Sequence, residues 1–238
     1  MSQTFGKTRW KRFALVMVPS IAATAAIGVG IANSALAASF AVSGQRFKVT
    51  VEQLTGEKFA QFGSFDAEVN GQIHPVAISA FDTATLKGMC QSVVTTPSLL
   101  GLKLPEVTMR LEAGKSDDPK KQVTAENLLI DLDSLRGDAE FKSINIGQDA
   151  STLDGKATDG WKSALGTGKP SGAIGFSQAA KSATLTDVKQ TAYATSAGTF
   201  NLRGLSLDLY LGSNGKGKEC FYEEPKAGSV LDPNAAKQ

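Results

Sequence analysis

Apolar and polar positions alternate with period two along much of this chain, as in a strand with one buried face. Phe47, Val49 and Val51 alternate with Lys48, Thr50 and Glu52. Val107, Met109 and Leu111 repeat the pattern with Thr108, Arg110 and Glu112. The row Leu205, Leu207, Leu209, Leu211 is the cleanest case. Shorter runs at residues 76–78, 128–132, 144–146 and 199–202 read the same way. Beyond residue 38 only residues 177–189 suggest a helix, and a short one. The pattern predicts an all-β fold: a repetitive antiparallel or solenoid-like sheet, either a β-helix or a curved sandwich, preceded by an N-terminal apolar helix.

Turn residues punctuate the strands. Asn70-Gly71, Asp154-Gly155, Asp159-Gly160 and Asn214-Gly215 tolerate positive φ and predict tight connections. Residues 116–121 read as an exposed loop. Residues 154–175, rich in glycine around Trp161, read as a flexible insertion whose Trp tucks against the sheet. A short motif also recurs: Leu54-Thr55-Gly56, Leu86-Lys87-Gly88, Leu135-Arg136-Gly137, Leu185-Thr186-Asp187 and Leu202-Arg203-Gly204. Its intervals are near multiples of 16 or 17 residues, as a reused strand-and-turn unit would give.

The front of the chain has a different pattern. Lys7, Arg9, Lys11 and Arg12 precede an uncharged, largely apolar run over residues 13–38. A basic flank, an apolar centre and Ala35-Leu36-Ala37 form a secretory signal cleaved before Ala38. The alternative is a retained anchor, since residues 13–31 are close to the length that spans a bilayer. Either reading leaves the rest outside the cytoplasmic membrane. The expected organisation is a signal or anchor helix at 1–37, a β-rich extracytoplasmic domain at 38–222 and a loose tail at 223–238.

Charge follows from this division. The whole chain is formally +2, but residues 1–37 hold four bases and no acid. The remainder carries 21 bases against 23 acids, which excludes an electrostatic case for nucleic acid. Two cysteines, Cys90 and Cys220, outside the cytoplasm favour a bridge over free thiols. Closing so long a loop contributes about 4–5 kcal/mol in the chain-entropy model.

Several strings resemble one family: LAASFAVSGQRFKV at 36–49, HPVAISAF at 74–81, LKGMCQSVV at 86–94, IGQDAST at 146–152 and TAYATSAGTFNLRGL at 191–205. They resemble an uncharacterised actinobacterial group of exported or membrane-anchored proteins, often labelled cholesterol esterase. The resemblance covers nearly the whole chain. It implies an envelope location and a domain of unknown function, and brings no catalytic residues with it.

The residues give the esterase label little to stand on. Serine hydrolysis needs a nucleophile, a base and an oxyanion hole. The chain has no G-x-S-x-G, and Gly168-Lys169-Pro170-Ser171-Gly172 has the wrong spacing. His74 is the sole histidine, and Pro75 biases it toward an extended backbone, so it reads as a surface or strand-edge residue. One histidine and two bridged cysteines cannot make a zinc set. Asp131, Asp133 and Asp138 resemble a calcium loop, but Arg136 and Lys142 stand where its Gly and Glu belong. Alternation instead puts Asp131 and Asp133 on the solvent face of a strand. No phosphate loop or redox C-x-x-C occurs. No catalytic, cofactor-binding or metal site is therefore expected, and no cofactor. The expectation is a non-enzymatic envelope module with structural or binding duties. Its partners would be the membrane through an uncleaved helix, and an envelope protein or a lipid. Binding of an apolar ligand is the alternative, and a steryl esterase the last.

Overall fold

A computed structural model describes residues 43–99, 102–158, 175–212 and 218–222. The expected N-terminal helix, the Asp159-Gly160 and Asn214-Gly215 turns, Trp161, Ser171 and the tail at 223–238 lie outside these residues. Eleven strands are described, and every pairing is antiparallel. The all-β expectation holds. Of the architectures the pattern left open, the antiparallel sheet is formed and the stacked coil of a β-helix is not.

Four strands are long: β1 (Phe47–Ala67), β2 (Ile73–Lys87), β7 (Val123–Lys142) and β9 (Phe176–Ser196). β1 pairs β2, β2 pairs β7, β7 pairs β9, and β9 returns to β1, so the hydrogen-bonded circuit closes. It closes out of step. Ala60 pairs Ala80 on one edge and Ala179 on the other, but the path through Ala80 and Leu129 reaches β9 at Ser196. Such a stagger tilts the strands steeply around a barrel. Residues 177–189, expected as a helix, belong to β9. Their Ala and Thr positions face two neighbouring strands, and sheet pairing overrides local helical preference.

Shorter strands extend these. β3 (Met89–Thr95) continues β2 in the same register against β1, past a break at Gly88. β8 (Asn145–Asp149) continues β7, and β10 (Thr199–Asn201) continues β9. β6 (Val107–Ala113) pairs β3, and β11 (Ser206–Leu211) pairs β6. A two-residue pair, β4 (Ser98–Leu99) and β5 (Leu102–Lys103), lies between β3 and β6. The molecule is thus a closed barrel with a three-stranded wing of β3, β6 and β11.

Two apolar clusters are buried. The first holds Val49, Leu54, Phe59, Phe81, Leu86, Leu128, Ile130, Leu132, Leu185 and Val188. The second holds Phe62, Val76, Ile78, Leu129 and Tyr193, covered by Ala150, Leu153 and Ala157 after β8. Asp82 fastens that cover by accepting the Ala157 N–H at 3.1 Å. Strand side chains alternate between faces. Leu129 therefore buries one face of β7 while Leu128 and Ile130 bury the other.

The alternation also changes phase inside strands. On β7, Val123 and Ala125 enter the first cluster at odd positions, and Leu128, Ile130 and Leu132 at even ones. Asn127, at φ 51°, stands at the change. Asp187 (φ 51°) does the same on β9, between Val188 and Leu185, and Lys58 (φ 56°) on β1, between Leu54 and Phe59. The recurring Leu motif belongs to this device. Leu54 pairs Leu86 on one side and Leu185 on the other, a buried row across three strands. Gly88 (φ 63°) and Asp187, which end two of the motifs, hold the left-handed kinks. Gly56 serves differently: a Cβ there would run into the Phe81 ring.

Candidate functional site

The ends of β1 and β2 meet β7 and β9 beside the second apolar cluster. Asp66 pairs across the ladder with His74, and Asp131 lies beside Ile78. Both aspartates are half-buried. They touch each other, so each carboxylate penalises ionisation of its neighbour. Burial, then the charge of Asp66 and its hydrogen bond, push Asp131 up to about 7. Burial also raises Asp66, against the opposing charge of His74. Asp66 Oδ2 is shut off from solvent with no donor among the described residues. Raised affinity for a proton at both carboxyls is what such a coupled pair requires.

Five further side chains surround the pair. His74 Nε2 lies 2.6 Å from Glu68 Oε1, and its ring stacks on Tyr193 with centroids 4.4 Å apart. Arg46 Nη1 donates to Asp133 Oδ2 at 3.1 Å. Burial raises the Tyr193 phenol, and the charge of Arg46 opposes it.

These positions correct the solvent-face reading of Asp131 and Asp133. Asp131 faces Asp66 across β2, and Asp133 is taken by an arginine 87 positions away. His74, the second residue of β2, is extended as Pro75 favours, but it is half-buried between a carboxylate and a phenol ring rather than at the surface. A triad histidine needs one nitrogen for a carboxylate and the other for the nucleophile. Here Glu68 takes Nε2, and among the described residues no serine hydroxyl is hydrogen-bonded to the ring. Asp138 is exposed on β7, away from Asp131. No group of three metal-binding side chains occurs among the described residues. What this cluster can do chemically is hold or release a proton.

The wing presents a different surface. Its two faces alternate residue by residue. One face carries Cys90, Ser92, Arg110, Glu112, Asp208 and Tyr210. Residues 218–222 strap this face. Cys90 and Cys220 are bridged with Cα atoms 5.8 Å apart, and the Cys220 N–H donates to Ser92 Oγ at 2.9 Å. Lys48 pairs Glu219 at 2.9 Å, and Lys218 lies 4.7 Å over the Tyr210 ring.

The other face carries no such strap among the described residues, and its β11 leucines are exposed. Gln91, Leu111 and Leu207 form one row across it; Val93, Met109 and Leu209 the next; Thr95, Val107 and Leu211 the last. It runs on from the barrel core, where Met89 and Ala113 are buried. Exposure climbs outward along β11, from 55% at Leu207 to 66% at Leu209 and 82% at Leu211. The cleanest alternation in the sequence thus forms an edge strand whose leucines are open. The alternation predicts one buried face for this strand; here that face is open.

At the inner end of β11, Lys115, Lys120, Lys121, Arg203 and Gly204 surround a depression of about 360 Å³. Lys115 is tied to Glu112, but Lys120, Lys121 and Arg203 form no ion pair among the described residues.

These features define an all-β, disulfide-tied domain with a half-buried acid pair and an exposed apolar edge. The chain belongs to a family of unknown function (DUF6230), whose pattern matches residues 43–221. No curated protein and no solved structure matches it.

Proposed function

We propose that this is an exported, non-enzymatic envelope protein, a binding module at the outer face of the cytoplasmic membrane. The observation that carries this reading is the exposed apolar face of the wing. Contiguous exposed apolar surface on a folded domain marks an interaction site. The Cys90–Cys220 bridge fits an oxidising compartment, and the N-terminal apolar run supplies the export signal or the anchor helix. An enclosed site for one apolar molecule has less support. A depression of about 720 Å³ beneath the bridge is lined largely by charged side chains, including Glu52, Arg110, Glu112, Arg136 and Lys189. The actinobacterial origin and the steryl esterase activity that the resemblance suggests draw nothing from the cluster around His74.

The test uses intact cells. Acid quenching followed by alkylation should leave Cys90 and Cys220 unlabelled, and a photoreactive side chain at position 209 should form an adduct that the same group at 208 does not. Reduced thiols together with no adduct would refute the reading.

A further inference from the structure

The exposed face has a direction and a setting, and together they indicate what covers it. It begins at the barrel core and ends at the outer row of Thr95, Val107 and Leu211. β1 starts near that end, with Lys48 paired to Ser92 three residues before Thr95. Three strand spacings separate β1 from β11, roughly 14 Å, and three residues along a strand add roughly 10 Å. Residues 13–31, the stretch close to bilayer length, end sixteen positions before Phe47. Sixteen extended residues span at most about 55 Å. The segment that would enter the bilayer therefore joins the domain within reach of the outermost leucine.

Charge marks the opposite end of the same strand. Lys120, Lys121 and Arg203, without an ion pair among the described residues, surround the depression beside Gly204, just before the exposed Leu205. A row of exposed leucines bounded by cations is the chemistry of a surface lying in a lipid interface. Its apolar side chains enter the acyl boundary while the cations meet anionic headgroups.

We infer that the exposed face of β3, β6 and β11 rests on the anionic lipid surface of the membrane that holds the N-terminal segment. This rests on the reading of the chain as an exported, membrane-held module. It deepens that reading by naming the partner. The leucines from 205 to 211 lie in the lipid, the polar face with its Cys90–Cys220 strap looks away, and the barrel stands off the bilayer.

The full chain, reconstituted into vesicles of equal phosphatidylglycerol and phosphatidylcholine, carries a photoreactive side chain at position 209 or, as control, at 208. Successive side chains point to opposite faces, so roughly tenfold more lipid adduct is expected at 209 than at 208. The excess should fall in vesicles of phosphatidylcholine alone and in the K120E/K121E chain. An intact Cys90–Cys220 bridge on a non-reducing gel shows that each variant has folded. Equal lipid labelling at both positions overturns the inference, as does a 209 adduct with a second copy or with residues 13–38. If 209 labels an envelope component in cells but not lipid in vesicles, the lipid assignment fails while the binding module stands. No adduct in either setting ends both.

Discussion

The barrel and the wing are built from the same kind of strand and differ in what happens to their apolar faces. In the barrel each long strand is paired on both edges over its middle, and β7 is buried on both faces. In the wing, β11 pairs with β6 alone among the described residues, and one sheet face ends in open leucines. Closure and stagger protect the barrel from edge pairing, the usual hazard of sheets. The wing keeps an edge and an uncovered face and relies on one disulfide strap. Stability is thus invested in one region and surface for a partner in the other, and alternation alone does not say which is which.

The largest effect that would test this contrast lies at Phe81. It is 2% exposed, its ring is 5.3 Å from that of Phe59, and Gly56 leaves room for it on the neighbouring strand. Phe81→Ala removes a buried ring packed against Phe59 and Gly56 of β1. It should destabilise the domain by about 3–5 kcal/mol, measured as a shift in denaturant midpoint. A loss below about 1 kcal/mol would mean that the barrel core is not the cooperative unit.

Asp131 tests the polar end of the barrel. Unfolded, its carboxyl titrates near 3.8; folded, at about 7. Between those values the folded state keeps a proton that the unfolded chain has lost. The contribution of Asp131 to stability is therefore most favourable below about pH 4, declines as pH rises toward 7 and is level above that. Asp131→Asn replaces the protonated form with a neutral near-isostere. It should match the parent near pH 4 and exceed it by about 1–3 kcal/mol near pH 8. A pH-independent difference between the two chains would show that the proton affinity of Asp131 is not raised.

These two positions also show what could be read in the chain. The fold class, the starts of β1 and β6, the body of β11, the Asn70-Gly71 turn and the disulfide were legible, because each is a local pattern or a matter of counting. The strand lengths were not. Lys58, Asn127 and Asp187 take positive φ inside continuous strands, so the period-two signal breaks in phase where the strand goes on. That is why β9 read in part as a helix. The acid pair was invisible for another reason. Asp66 and Asp131 meet through a register between strands 65 positions apart, and nothing in either neighbourhood announces the other. Asp131 and Asp133 alternate as a solvent-facing pair would, and only the second covered face of β7 shows otherwise.

The smallest effect is the most informative about the wing. Leu209→Ser exchanges a large apolar side chain for a polar one, and in a core that would cost several kcal/mol. Leu209 is 66% exposed and lies beside Met109, itself 38% exposed. In detergent-free solution the substitution should change stability by no more than about 0.5 kcal/mol, since little apolar surface returns to water on unfolding. A loss as large as that of Phe81→Ala would mean that another part of the chain already covers the face. The wing would then be core like the barrel, and its leucines would be closed to a partner. A near-zero change leaves the leucine row as surface kept for something outside the domain.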